Sequence, residues 1–533
     1  MYAQDPVQMP SQARPPYVRV AFSLSATPVM PIQISVRFPE ASAAVRVGCV
    51  AVLVLLSVGW VIGAVRSWNR LRHIPGPTLA RWSSAWMVRK LSSGRFHEHV
   101  CEAMEEYGPL VRIGPNELLC SDPEVLRRMS AARSLYTKGQ FYETGRIIPG
   151  YDNIVTQRDE FKHKALRAQM SDAYRESSDS GFEGGMDRQI LQLIALIDHK
   201  YISEPGLLRP MDLAAKAQFF TLDVISDVSF GAPFGFLTED TDLFQYNEIN
   251  ASAIPIMNML QAMPWLSNVV YRWPLRLALP SDGDKVGFGR LMGVAKSYVD
   301  ERLALGSKPK RDMLQAFIDS GMAYNDLIQH MFVQIVAGSI TTASAIRHTL
   351  LALISAPAVY STLQSEIDLA TPDSSPIITA AQAQTLPYLQ AVIHEGLRMW
   401  PPTTGLGCKQ VPRGGDVICG FPVPEGTQVG HNFSGMMRAR GIWGEDAGVF
   451  RPERWLEMGK VEREELKGVV ELDFGSGRYQ CLGKRIALAE LDKVIFELLR
   501  RYNFALVDPQ NPIKSQSGVF WLGSDLWVRV TKR

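Results

Sequence analysis

Apolar and polar positions divide this chain into stretches of distinct period. The first forty-odd residues show no sustained period of 2 or 3.6. They hold several prolines and Arg14, Arg19 and Arg37, against Asp5 and Glu40 as the only acids. This reads as a disordered leader. An acid-poor leader with Arg and Ser also fits a mitochondrial transit peptide, and a start at Met30 would remove most of it. Val47–Val65 follows, 19 residues without a charge, closed by Arg46 and Arg66. At helical rise it spans roughly 28 Å, one hydrocarbon core. Such a run is either a buried core helix or a membrane span, and the flanking arginines and the leader favour the span. It begins too late for a cleaved signal peptide. Arg66, Arg70, Arg72 and His73 lie beyond it, so the positive-inside bias places the C-terminal part in the cytosol. Two prolines around a glycine in IPGPTLARW (Ile74–Trp82) then stop the helix and make a stiff hinge. The implied organisation is a leader over 1–44, an anchor over 45–65, a hinge over 66–80 and one large domain over 81–533.

Helical periods dominate that domain. Short amphipathic helices and a strand pair (Leu110–Cys120) run from Phe96 to Leu135, and a Gly/Tyr-containing loop covers 136–158. FKHKALRAQM sets His163 and Arg167 four apart, on one helix face. Residues 240–280 are rich in Met, Pro and aromatics, which suits either core packing or a plastic apolar surface. Asp326–Pro357 predicts a helix of roughly 45 Å. Its middle, Ala337-Gly338-Ser339-Ile340-Thr341-Thr342, is weakened by Gly and by hydroxyls that bond back to carbonyls. Strand-like segments follow 410, and VFWLGSDLWVRV near the end reads as a hairpin. The fold class expected is mainly α with a smaller β region, after one N-terminal transmembrane helix.

Composition narrows the function classes. The net charge of +2 over 533 residues gives no basis for nucleic-acid binding. The cysteines at 49, 101, 120, 408, 419 and 481 form no CxxC pair, which argues against a zinc site or a disulfide framework. Asn250-Ala-Ser and Asn432-Phe-Ser match the glycosylation acceptor pattern, and a cytosolic domain would leave them bare.

The chemistry concentrates in FGSGRYQCLGKRIALAE, Phe474–Glu490. Glycines at 475, 477 and 483 let the backbone bend and approach a flat ligand. Ile486, Ala489, Ile495 and Leu498 recur at helical spacing, so Cys481 sits at or just before a helix start. The helix terminus, with Arg478, Lys484 and Arg485, is expected to favour thiolate over thiol. The stretch resembles the haem-binding loop of the cytochrome P-450 family, F-x-x-G-x-R-x-C-x-G. Phe474, Gly477, Cys481 and Gly483 fill its fixed positions. Tyr479 stands where the family has Arg, with Arg478 one residue earlier. The resemblance implies haem b (iron protoporphyrin IX) with Cys481 as axial ligand to the iron, and a propionate contact from Tyr479.

Other segments carry the same resemblance. Its pattern [AG]-G-x-[DE]-T-[TS] matches at 337–342 with Thr341 as the oxygen-activating threonine, but Ile340 replaces the acid. Glu395 and Arg398 match E-x-x-R, and Arg454 within Pro452-Glu453-Arg454-Trp455 is the third, structural partner. His163, Arg167 and Lys409 fall where the family directs cations at the propionates. The wording around 441–457 and of GRYQCLGK is most similar to filamentous-fungal microsomal members, including the pisatin-demethylase-like group.

What the resemblance implies is a monooxygenase that activates O2 with electrons from NADPH, delivered by NADPH–cytochrome P-450 reductase, to oxidise an apolar small molecule of secondary metabolism. Arg478, Lys484 and Arg485 would form a basic docking face. The protein would sit single-pass in the endoplasmic reticulum membrane with its catalytic domain cytosolic. Ile340 keeps open a haem-thiolate desaturase, coupling or rearranging enzyme. The remaining alternative is a non-catalytic haem-binding protein.

Overall fold

The computed structural model describes residues 43–146, 148, 150–175, 182–304, 310–370 and 377–533. The leader lies almost wholly outside them. The chain divides into two units, Met1–Trp60 and Val61–Arg533.

One helix runs Ala43–Leu71, past the uncharged run at both ends. Within it, Val50–Leu71 is long and apolar enough to cross a membrane, with a mean hydropathy of 2.0. Its most apolar window buries nothing among the described residues, unlike a core helix. The last turns are held in the second unit. Leu71 and Ile74 are fully buried, and Trp68 stacks on Trp82 with centroids 5.6 Å apart. Arg112, also fully buried, clamps this stretch. Its guanidinium donates to the carbonyls of Ser67 (3.2 Å), Arg81 (3.2 Å), Gly114 (3.1 Å) and Pro115 (2.8 Å). Burial pulls its pKa down to about 10.

The second unit is mainly helical. Its centre is the 32-residue helix Tyr324–Ser355, packed on Leu213–Phe230. Every residue of the latter except Ala215 is buried, as befits a helix that neighbours surround. The two approach closely at Gly338, where a Cβ would stand 2.8 Å from Ile225 Cδ1. Tyr246–Ala262, with Pro255 inside it, buries Ile254 and Asn258, while Trp265 and Trp273 in the following segment are exposed.

The β region is small. A five-stranded sheet orders its strands Leu110–Arg112, Glu117–Cys120, Gln428–His431, Leu406–Gln410 and Thr137–Lys138. The Leu110–Cys120 strand pair is present as antiparallel neighbours. The C-terminal hairpin is not. Trp521–Ser524 pairs with Lys514–Ser517, whereas Trp527–Lys532 joins Tyr502–Leu506 and Met211–Asp212. Asp525, at φ 59°, turns the chain between two sheets. The glycosylation pattern also has a structural answer. Asn250 and Asn432 are 6% and 2% exposed, so neither can carry a glycan on either side of a membrane.

Candidate active site

A cavity of about 1580 Å³, its open mouth included, takes wall residues from the Cys481 loop, the long central helix and Glu160–Ser171. The loop is set by its glycines. Gly475 and Gly477 have φ of 69° and 55°, which favour glycine. A Cβ at Gly475 would stand 2.7 Å from the Tyr479 carbonyl oxygen, and one at Gly477 would press into the Ser130 backbone. The backbone N–H of Cys481 donates to the Phe474 carbonyl at 2.6 Å. The helix Lys484–Arg501 then starts with Gly483 as its N-cap. Gly483 differs from the other two. Its φ is ordinary, and a Cβ would find only Cys481 Sγ and Tyr174, both at 3.9 Å.

Cys481 is surface-accessible because it faces the cavity. Burial among protein atoms pushes its thiol up, opposed by the N–H groups of Gly483 and Lys484 and by Arg167. Of the sources expected to favour the thiolate, the N–H groups at the helix start do act in that direction but are outweighed by burial, and Arg167 contributes where Arg478, Lys484 and Arg485 were expected. Arg478 is engaged by Glu160 and the Tyr136 carbonyl, and Lys484 pairs with Glu471 at 2.7 Å.

His163 and Arg167 both line the cavity. Arg167 donates to the Gln480 carbonyl at 2.6 Å. Burial, then Lys138, Arg167 and Arg478, pull His163 down to about 3, so it is a neutral imidazole. Tyr479 is the hub beside them. Its hydroxyl donates to Glu160, and His163 lies 5.4 Å from its ring. Three basic side chains flank the ring, Lys409 and Arg478 at 5.0 Å and Lys138 at 5.5 Å. Lys409 sits behind Tyr479, its ammonium 2.5 Å from Ser130 Oγ. Phe474 and Gly483 are on the cavity wall, whereas Gly477 holds the loop from outside it.

Lys138 escaped the sequence reading. It lies in a loop with no period to mark it, and its partner is 271 positions away. Thr137–Lys138 pairs antiparallel with Leu406–Gln410, in a register that sets Lys138 opposite Lys409. Like charges at such a pair repel. Both lysines are buried, and burial lowers Lys138 to about 7 and Lys409 to about 8.

Ala337, Gly338, Thr341 and Thr342 bring the central helix to the same cavity. The helix is unbroken there. Thr341 bonds back to the Ala337 carbonyl at 2.8 Å. Ile340 turns away into the apolar core at 7% exposure.

Glu395, Arg398 and Arg454 lie outside the cavity wall, in a buried knot. Arg398 grips Glu395 with two bonds, at 2.8 and 2.9 Å, and Arg454 adds a third at 3.0 Å. The Trp455 indole N–H and the Arg451 backbone N–H donate to the same carboxylate, each at 2.9 Å. Other guanidinium donors reach the carbonyls of Met437, Trp443, Asp446, Ala447 and Val449, and Arg454 also pairs with the Asp446 carboxylate at 3.0 Å.

Comparison with known proteins decides the family. The cytochrome P450 profile matches residues 74–525. The chain belongs to the cytochrome P450 family. Cytochrome P450 monooxygenase ABA1 of Pyricularia oryzae is 38% identical over 493 residues, 90% of this chain and 96% of that protein. Cytochrome P450 monooxygenase aba1 of Botryotinia fuckeliana is 40% identical, over 87% of this chain and 92% of that one. Cytochrome P450 monooxygenase mpaDE of Penicillium brevicompactum is 29% identical over 84% of this chain, matching 54% of its own length. The chain is thus an enzyme of the cytochrome P450 monooxygenase class, and membership implies a haem cofactor.

The P450 cavity suits that cofactor in three respects. Cys481 presents a sulfur to it, Gly483 keeps clear a space that no described protein atom claims, and two facing buried lysines, near which Glu160 is the acid that acts on both, could meet an anionic edge. These features yield two predictions. Gly483→Ala leaves the melting temperature of apoprotein unchanged but lowers haem content, whereas Gly477→Ala destabilises apoprotein by about 1–3 kcal/mol through its strained φ and clash. Scanning calorimetry and a haem assay check both.

The second prediction concerns pH. Both lysines have folded pKa values below the ordinary 10.5. Between those values and 10.5 the unfolded chain holds more protons, so their contribution stabilises apoprotein as pH rises through this window. A dianionic haem whose carboxylates lay against these lysines would restore their charge. In that arrangement haem binding would take up protons at about pH 9, and haem affinity would fall as pH rises from about 7 to about 10. Titration calorimetry in buffers of different ionisation enthalpy measures the uptake, and Lys138→Met/Lys409→Met should abolish it.

Proposed function

We propose that this protein is a haem-thiolate monooxygenase that oxidises an apolar small molecule in fungal secondary metabolism. The observation that carries the reading is one cavity shared by the Cys481 thiol and the Thr341 hydroxyl, with mostly apolar walls between polar clusters. Haem, when bound, supplies the activation of O2. Cys481 would hold its iron through the thiolate sulfur, with Phe474, Gly477 and Gly483 shaping the loop. Arg167, His163, Lys138, Lys409 and Tyr479 would hold its carboxylate edge. Apolar residues such as Ile154, Val155 and Val333 would orient the substrate and exclude water. Thr341 would hold a proton at its hydroxyl beside the reacting centre. Electrons would come from NADPH through NADPH–cytochrome P450 reductase. The helix at Val50–Leu71 would anchor the chain in the endoplasmic reticulum membrane, with residues 81–533 as a cytosolic catalytic domain.

A second reading rests on Ile340, whose buried apolar side chain cannot carry a proton. On that reading the product is a desaturated or coupled molecule without new oxygen. Turnover with reductase, NADPH and isotopically labelled O2 separates the two. One labelled oxygen in the product supports the monooxygenase, and a product two hydrogens poorer with no label supports the second reading. Absence of a haem-thiolate spectrum in wild type would defeat both.

A further inference from the structure

Away from the cavity, two free thiols from distant segments meet beside the five-stranded sheet. Cys120 ends the strand Glu117–Cys120 and is fully buried in the core. Cys419 packs against that core from a surface hairpin, Asp416–Ile418 with Phe421–Val423, and is part exposed. The two side chains hydrogen-bond to each other. Cys419 also stands where other residues fit better. It and Gly420 are the two central residues of the hairpin turn, at φ of 48° and 82°. A turn with positive φ at both positions strongly prefers Asn or Asp before Gly. A cysteine there is strained backbone, and it is held where its sulfur meets that of Cys120.

The pair is asymmetric. Cys120 donates its S–H to Cys419, and that bond together with burial holds its own pKa up. The same bond, helped by Arg128, pulls Cys419 below the ordinary thiol range against burial and Asp122. Burial pushes Cys101, Cys408 and Cys481 up, so among the described cysteines Cys419 is the one favoured as thiolate. Thiolate character and access make a cysteine oxidisable, and a second thiol beside it turns the product into a disulfide. The hairpin also reaches the haem cavity. Asp416 accepts from Arg128 at 2.6 Å and from the Tyr136 hydroxyl, and the Tyr136 carbonyl accepts from Arg478, next to Tyr479.

We propose that Cys419 and Cys120 are an oxidative modification site, which hydrogen peroxide closes to a disulfide that clamps the Asp416 hairpin to the sheet. The proposal does not depend on the monooxygenase reading. The Cys419 thiolate attacks one peroxide oxygen and the O–O bond breaks. The hydroxide released takes a proton from solvent and leaves as water, and Cys419 becomes a sulfenic acid. The Cys120 sulfur then bonds to the Cys419 sulfur as the S–O bond breaks. The second hydroxide takes the Cys120 proton and also leaves as water. In sum, two thiols lose two electrons and one peroxide is reduced to two waters. A dithiol reductant reverses the change by becoming a disulfide itself.

The test uses full-length holoprotein treated with a small excess of hydrogen peroxide, alkylated, digested and mapped by mass spectrometry. One cross-link is expected, Cys120 to Cys419, and dithiothreitol should remove it. Its absence, or a scatter of cross-links among several cysteines, overturns the proposal. Before oxidation, iodoacetamide at about pH 7 should label Cys419 at least about tenfold faster than Cys101 or Cys408. Equal rates overturn Cys419 as the attacking thiol. The oxidised protein should melt at least about 3 °C above the reduced one, and a cross-link without that shift overturns the clamp. Cys419→Asn suits the turn, so it should melt no lower than reduced wild type, form no cross-link and show no shift with peroxide. The wild-type shift in Cys419→Asn overturns the proposal. Cys419→Ser makes the same comparison if Cys419→Asn does not fold.

Discussion

Cys481→Ala will lose the strongly red-shifted Soret band of the reduced, CO-bound protein, and all product formation with it. Among the described residues, Cys101, Cys120, Cys408 and Cys419 lie off the cavity wall, so no second thiol can take its place. The fold should survive. The loop is held by the Cys481 backbone N–H, the strained glycines and the Ser130 contact, none of which involves the sulfur. Apoprotein stability should change by less than about 1 kcal/mol, as for substitutions outside the packed core. Difference spectra and a thermal melt of the same preparation check the two halves. A band that persists in the variant would remove Cys481 from the site and the reading built on it.

Glu395→Ala is expected to act on the fold instead. The carboxylate is the common acceptor for Arg398, Arg454, the Trp455 indole and the Arg451 backbone, and Glu395 and Arg398 are fully buried. Its removal leaves the Arg398 guanidinium without its counter-charge and Arg454 with only the part-exposed Asp446 carboxylate, at 3.0 Å. Breaking a buried pair by deleting one partner costs about 3–5 kcal/mol. A protein of ordinary stability has about 5–15 kcal/mol in total, so much of the variant should be insoluble or unable to retain haem. Glu395→Gln keeps the shape but not the charge and should fall between. Urea unfolding of both gives the order. A midpoint for Glu395→Ala equal to that of wild type would mean that the backbone carbonyls around Arg398 and Arg454 suffice to hold the charges.

The sequence made the local parts of this site legible. The Cys481 loop is contiguous, two of its three glycines are set by positive φ within a few residues, and the helix after it announces itself by period. For His163 and Arg167 the four-residue spacing set both on one helix face, the resemblance pointed that face at the site, and both line the cavity. Glu395 and Arg398 are likewise one turn apart, and Arg454 joined them through a short segment of fixed wording rather than through any period. The uncharged run at 47–65 needed only length and hydropathy to be recognised, although the helix extends beyond it.

Other features depended on which segments meet. Sequence could place Lys409 at the site but could not see Lys138 opposite it, because strand register across 271 positions is decided by burial on both faces of a sheet. It read VFWLGSDLWVRV as one hairpin, since alternation marks strands without naming their partners. It credited Arg478 and Lys484 to the thiolate, because charge along a chain does not reveal that Glu160 and Glu471 already hold them. It passed over Glu490, an acid in an ordinary helical run, whose buried Oε1 has no hydrogen-bond partner among the described residues. What the sequence by itself determined was the short-range order: periods, glycine turns, the anchor-length helix and the motif that places the thiol. The tertiary structure alone decided the state of each charge, because a side chain's proton and partners depend on desolvation and on groups contributed by distant segments.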